Sequence, residues 1–485
     1  MGTVLPFTAP KLGNSNTLID GHADPSPSFV DFLDSMSLAV QRIITTYALF
    51  DGHHVEDYGA VGDGVTDDLA AITAATVAAV AGVKGSNKVI FGTKTYVLSA
   101  QLTINLAGGK SIWLQGAPGK VPQTGIISAN ASGTILLSTG GNDAIVIYSS
   151  AGAGDASNCH FTIENINLVA QGAAGNGLKI GYTGFQFGGG NKDCVIRNFG
   201  VHQFPLDQIR IINSRNILID NVVGTQNISG TAGSAVLKVE AETGQFCGDI
   251  NVLNCELVGS GTANLHTVIL IPSGAGGQVR GIHFEDSTIY YGQFGMLING
   301  TTANTQLGDI FIHGCQFDGI NSGSVTTAIS IFGFGANTVI SGIDINNSYM
   351  VAWPARAVDV QNFGGGAVIS NVNISENYIN VGALGIVVNG VTATGRITGV
   401  HINHNRFYDM ANTPITIQQG VTDSFITNNG HITTGGGVAG FANLINLTND
   451  CDWLEIHQNL GRATGAAILN GTTGINLSIA NNFAH

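Results

Sequence analysis

Two carboxylates, Glu240 and Glu242, stand two positions apart in the run Leu237-Lys238-Val239-Glu240-Ala241-Glu242, which alternates apolar and charged residues. On a strand such residues face one side, roughly 6.6 Å apart along the backbone. That is the lower edge of the roughly 6.5–9.5 Å used in inverting glycosidic hydrolysis, where one acid protonates the leaving oxygen and the other activates water. Asp207, opening a neighbouring apolar run, is a third carboxylate for the same chemistry. Lys179, Arg210 and Lys238 each occupy the middle of an apolar triplet, so stacking of those triplets would make a basic ladder that binds an anion. The competing interpretation is that Glu240 and Glu242 only neutralise Lys238 and Arg210. A second group, His283, Glu285, His313 and Asp344, sets imidazole beside carboxylate, either for acid–base work near neutral pH or as a solvated or subunit-facing surface. His401, His404 and His457 extend that group without carboxylates at metal-ligand spacing, and no metal or other cofactor is expected.

These side chains meet only if the chain stacks on itself. From residue 161 onward a phrase recurs: apolar, any, apolar, any, two small or polar residues, any, apolar. It starts at Phe161, Cys194, Ile217, Ile250, Ile282, Ile310, Ile343, Val372, Val400, Phe425, Leu454 and Leu477, on average about 29 residues apart, a solenoid period. Its sixth place holds Cys255, Ser287, Cys315, Ser348, Asn377, Asn405, Gly430, Asn459 and Asn482, side chains able to hydrogen-bond along a stack of strands. Each coil carries a second strand whose middle residue faces out, read at Leu178-Lys179-Ile180, Ile209-Arg210-Ile211, Leu237-Lys238-Val239, Ile269-Leu270-Ile271, Ile329-Ser330-Ile331, Val358-Asp359-Val360 and Ile415-Thr416-Ile417. The predicted fold is all-β, a right-handed parallel β-helix of about 12 coils with N-terminal helices. Gly-rich connections at 183–191, 226–233 and 272–277 would wall the charged face into a groove.

Composition agrees. Charged residues are 10% of the 485, Gly numbers 68 and hydrophobic residues reach 44%, which suits short strands and tight turns over a real core. The net charge of -14 opposes nucleic-acid binding, and no apolar run is long enough to insert in a membrane. Six scattered cysteines without CxxC pairs read as buried free thiols. Phe29, Met36, Ile43 and Phe50, with Leu33, Val40 and Tyr47, form a heptad helix suited to self-association or to packing on its own domain. A second helix is predicted over 67–81, within a region that caps the open end of the solenoid. The expected domains are 1–50, an arm and amphipathic helix for virion anchoring or trimerisation; 51–160, an opening and capping region; and 161–485, the parallel β-helix.

The string DYGAVGDGVTDD at 57–68, followed by an Ala-rich helix and a Gly- and Asn-rich repeat, resembles the pectate-lyase-like β-helix superfamily. Asp63, Asp67 and Asp68 carry over from it only as turn and capping residues. The N-terminal arm and heptad helix before the solenoid, with no export signal in MGTVLPFTAPKLGN, are similar to phage tailspikes and polysaccharide depolymerases. That resemblance implies a homotrimer on a virion tail, its arm docked to a tail or baseplate protein, binding and cleaving a bacterial capsular or exopolysaccharide. A secreted or cell-surface bacterial protein is the other location. Neither Gly-His-Gly nor Arg-Ile-Lys of the polygalacturonases is present. Hydrolysis by Glu240, Glu242 and Asp207, with Lys179, Arg210 and Lys238 binding substrate, is expected first. A lyase using those cations, and a glycan binder without catalysis, are the alternatives. Trp353, Tyr349 and Tyr378 are candidate exposed aromatics that stack on sugars or fill the stack and subunit contacts.

Overall fold

The computed structural model describes residues 33–40, 52–119, 133–150, 159–172, 175–181, 194–226, 230–319, 326–380, 382–390, 396–408, 410, 412–432, 443–448, 451–461, 468–471 and 477–484. Their strands form one sheet of 27 and another of 13, all paired in parallel with the strand one coil away. A representative coil runs along Gln278–Glu285, turns at Asp286, continues through the short strand Thr288–Tyr290, and crosses to Phe294–Gly300 in the second sheet. It then returns at Gln306–His313, beside its own start. The architecture is a parallel β-helix.

Apolar residues at the first and third places of the phrase point inward and stack in register. Ile250, Ile282, Ile310, Ile343, Val372 and Val400 pair in succession and are buried in one continuous core. Eleven of the twelve starts fall in this register, and the exception is Phe425. His401, not Val400, pairs with Phe425, so Ser424 takes the inward site and Phe425 is 40% exposed. Correspondingly Asn429, not Gly430, fills the sixth place. In the second sheet Lys238 pairs with Ile269, so the inward-flanked triplet is Val268-Ile269-Leu270, one residue earlier than the spacing suggested.

The fifth place carries the turn. From Asn165 through Asn254, Asp286 and Asn428 to Asn481 it lies at φ of 47° to 62° on every coil. This left-handed region is strained for β-branched residues and tolerated by Asn, which explains the Asn-rich composition. Inside the turn the sixth-place side chains link coil to coil. Asn405 Oδ1 accepts from Asn377 N–H at 3.1 Å and Asn377 Nδ2 at 3.0 Å, while Asn405 Nδ2 donates to Asn429 Oδ1 at 3.0 Å and Ile374 O at 2.8 Å. Asn429, Asn459 and Asn482 repeat the pattern. Asn405→Ala would orphan buried donors and an acceptor on neighbouring coils, an expected cost of about 2 kcal/mol. Comparing its urea midpoint with that of the outward Asn403→Ala checks this, and equal shifts would contradict a ladder role.

The second helix is Leu69–Val80, within the predicted span, and it covers the end of the stack. Ile72, Ala75, Thr76 and Ala79 are buried, and the helix packs on His53–His54, Lys88–Ile90, Leu102–Asn105 and Ser111–Gln115. The motif aspartates hold backbone. Asp68 accepts from the N–H groups of Val61 and Val97 at 2.6 and 3.1 Å, Asp67 from the Ser99 hydroxyl at 2.6 Å, and Asp63 from the N–H of Thr66 at 2.7 Å. Residues 33–40 are helical with Met36 and Val40 exposed; the rest of the predicted heptad helix lies outside the described residues. All six cysteines are buried and free, and burial pushes the Cys247, Cys255 and Cys315 thiols up to about 12, which keeps them unreactive.

Candidate functional site

The basic ladder forms as the triplets implied. Lys179, Arg210 and Lys238 pair in register on three successive strands of the second sheet. It stops there because the next two coils place Ile269 and Leu297 in the same column. Repulsion between stacked cations is offset by carboxylates from a ladder strand, Glu240, and from the turns before the strands, Asp207 and Asp143. Arg210 donates to Glu240 Oε2 through both Nη2 and Nε, at 2.7 and 3.1 Å, and its Nε is 3.8 Å from Asp207. Lys238 lies 4.0 Å from Glu240, and Lys179 is 3.7 Å from Asp143. Asn176 joins the two turns, donating to Asp143 at 2.7 Å while its Oδ1 accepts the Asp207 N–H at 3.0 Å.

The cations and carboxylates occupy different depths. The side chains of Lys179, Arg210 and Lys238 are 18, 26 and 19% exposed, those of Asp207 and Glu240 only 4 and 9%. Burial pushes the Asp207 carboxyl up to about 6, against the pull of Lys238 and Arg210 and the Ala235 N–H that it accepts at 2.8 Å. Burial acts on Glu240 in the same direction, but there Arg210, the Ser273 hydroxyl and Lys238 outweigh it and the carboxyl is held below its ordinary value. Two neighbouring carboxyls thus titrate apart, with Arg210 between them. His266 sits in register with Ala235, stacked on Phe294 at 5.2 Å, and burial followed by the charge of Lys238 brings it down to about 4, a neutral ring beneath the cluster.

The Asp207 shift has a consequence for stability. Its folded value of about 6 lies above the ordinary aspartate value of 3.8, so the folded chain holds the proton more tightly than the unfolded one. The contribution is full below about pH 4 and is lost as pH rises to about 6, on the order of 3 kcal/mol. Asp207→Asn, which keeps an oxygen for Ala235, should flatten this slope. Urea midpoints at pH 4 and pH 7.5 measure it, and parallel slopes in both proteins would contradict the assignment.

Glu242 stands apart from this pair. The strand ends at Ala241, and beyond it Asn213 donates to Glu242 Oε2 at 2.9 Å while the Glu242 N–H returns to Asn213 Oδ1 at 2.8 Å. Of the glycine-rich connections, 183–191 lies outside the described residues, as do 227–229 of the second; 272–277 forms a turn over Thr243 and Gly244. In the histidine group only Glu285 and His313 come together, at 4.0 Å and half exposed. His283 stacks on Phe311 at 4.6 Å, and Asp344, one coil further, accepts from Asn373 at 2.7 Å. Among the described residues no group of three or more His, Cys, Asp or Glu is arranged to hold a metal ion. Trp353, read as either stacking on sugars or filling the stack, does the second: it is fully buried, its ring beneath Gly295 and Gly319. Tyr349 and Tyr378 do face out and stack with Tyr408, at 4.4 and 4.2 Å between successive rings.

Two grooves follow the left-handed turns and were not foreseen. One of about 810 Å³ is lined by Asn165, Asn198, Asn221, Asn254, Glu256 and Asp286 among others, and one of about 650 Å³ includes Glu376, Tyr378, His404 and Arg406. Their signal in the sequence was the fifth place of the phrase, polar or glycine on every coil.

No protein-family model matches the sequence, and no curated protein matches it. Among solved structures the chain is similar to ORF18 of Geobacillus virus E2, at 17% identity and a TM-score of 0.41, covering 91% of this chain and 63% of the viral one. It is also similar to the A-module of the Azotobacter vinelandii mannuronan C-5 epimerase AlgE6, at 14% and 0.44, covering 89% and 99%. A third is the Dettilon tailspike protein, at 13% and 0.40, covering 88% and 68%. By its own strand register, independently of these likenesses, the chain is a parallel β-helix.

Proposed function

We propose that the protein binds an acidic bacterial surface polysaccharide on the outer face of the second sheet and cleaves it by glycosidic hydrolysis. The observation that carries this reading is the placement of Asp207 and Glu240, 3.8 and 2.7 Å from a shared Arg210, in a ladder of three cations stacked in register, with burial and charge shifting the two carboxyls in opposite directions. A carboxyl that keeps its proton toward pH 6 suits the general acid, and one that stays ionised suits the base or nucleophile. The shallower cations are what an approaching polyanion meets first. A sugar carboxylate drawn to Arg210 competes with Glu240 for the guanidinium and releases Glu240 toward the reacting carbon or its water. Glu242, held by Asn213 just past the strand, is the reserve carboxylate of the same face. We place the chain on a phage tail as a homotrimer anchored through residues 1–50, which light scattering with and without that segment tests.

The decisive experiment is incubation of the pure protein with a panel of bacterial capsules, following chain length and ultraviolet absorbance. Shortening without new absorbance is the expected result. The cation layer gives a lyase reading its own support, since Lys238 or Arg210 could neutralise a uronate and take its α-proton; shortening with new absorbance would select it. Binding without any shortening across the panel would leave a glycan-binding protein and overturn the enzyme.

A further inference from the structure

We infer that the groove beside the left-handed turns at Asn347, Glu376, His404 and Asn428 is a second saccharide site, which holds an acidic sugar unit and takes no part in cleavage. The inference rests on the polysaccharide reading above and adds a station to it. One wall is formed by turn residues, with Glu376 and His404 on adjacent coils. The other is a column in register: Tyr378, Arg406, Gly430 and Leu460.

Arg406 is exposed, and among the described residues it makes no ion pair, whereas all three ladder cations do. A guanidinium on the wall of a groove binds a carboxylate through two parallel hydrogen bonds. Glu376 on the facing wall can accept from sugar hydroxyls. Tyr378, stacked between Tyr349 and Tyr408 so that its faces are taken, offers the groove a fixed phenolic edge. Gly430 leaves the wall open. A Cβ there would meet nothing within 4 Å, and the position needs no left-handed backbone, so the space comes from a missing side chain and not from a turn requirement.

The groove is on a different sheet from the Arg210 cluster and, at Arg406, seven coils further along, which at the strand spacing is about 34 Å. Two stations that far apart on one rigid stack retain a polymer by raising its effective concentration at the other.

Equilibrium binding of oligogalacturonate, with dextran oligomers as the neutral control, tests the site. Oligogalacturonate should bind and dextran should not. Arg406→Ala should weaken binding at this groove at least tenfold, and Gly430→Tyr, which fills the groove without displacing backbone, should remove one of the two binding sites with the urea midpoint unchanged. Glu240→Gln should bind at this groove as the wild type does. Wild-type affinity in both groove variants, equal binding of dextran, or no binding of oligogalacturonate would each overturn the inference. Groove binding in a protein that shortens no capsule would sink the hydrolase alone.

Discussion

Glu240→Gln should lower depolymerisation by about a thousandfold and leave polysaccharide binding intact. The substitution preserves volume and keeps an oxygen facing Arg210, so the network of Arg210, Lys238 and Ser273 retains its geometry. What disappears is the ability to take a proton or attack carbon, a role worth roughly 10² to 10⁴ in rate. Asp207→Asn should bring a loss of the same order, because the buried carboxyl beside Arg210 would no longer have a proton to give. Glu242→Gln should cost far less, since that carboxylate is held by Asn213 beyond the end of the strand. Chain-length analysis of digested capsule measures all three. Full activity in Glu240→Gln would move the chemistry elsewhere on the stack, first to Glu285 and His313.

The coil period and the basic ladder were legible because both depend on a strict periodicity. Side chains alternate across a strand, and parallel strands stacked in register turn every repeat into a column. Lys179, Arg210 and Lys238 could therefore be aligned from three triplets alone. The errors came where residue type and site disagree. Phe425 is more hydrophobic than Ser424, yet the chain places the serine inside, where its hydroxyl accepts the Val400 N–H at 3.1 Å, and that one-residue slip hid Asn429. Val268-Ile269-Leu270-Ile271 is apolar throughout, so period two has no phase to read there. The partners of the ladder were partly hidden for a different reason. Asp143 and Asn176 reach it from turns in preceding coils, and turn geometry is set by backbone conformation, which the apolar pattern does not encode. Of the two readings of Trp353, filling the stack is the one that holds, because the glycines at 295 and 319 make room for its ring inside.

Arg210→Ala should destabilise the fold by about 3–5 kcal/mol at pH 7, the cost of leaving buried charge without its partner. Its guanidinium makes two hydrogen bonds to Glu240 and lies 3.8 Å from Asp207, and both carboxylates are almost wholly withdrawn from solvent. Without it, Lys238 at 4.0 Å from Glu240 is the nearest cation that remains. Two facing carboxyls deprived of their common cation favour the protonated form, so both values rise above those of the unfolded chain. The sign then follows: acidification should restore stability to the variant, fully below the unfolded values and progressively less as pH climbs through the folded ones. Urea unfolding of wild type and variant at pH 7 and pH 5 measures the effect, and the gap between them should narrow at pH 5. Arg210→Lys keeps the charge but loses the fork and should fall between the two. A loss under about 1 kcal/mol would be that of a solvated surface pair, and would remove the low-dielectric environment on which the separated titration of Asp207 and Glu240 depends.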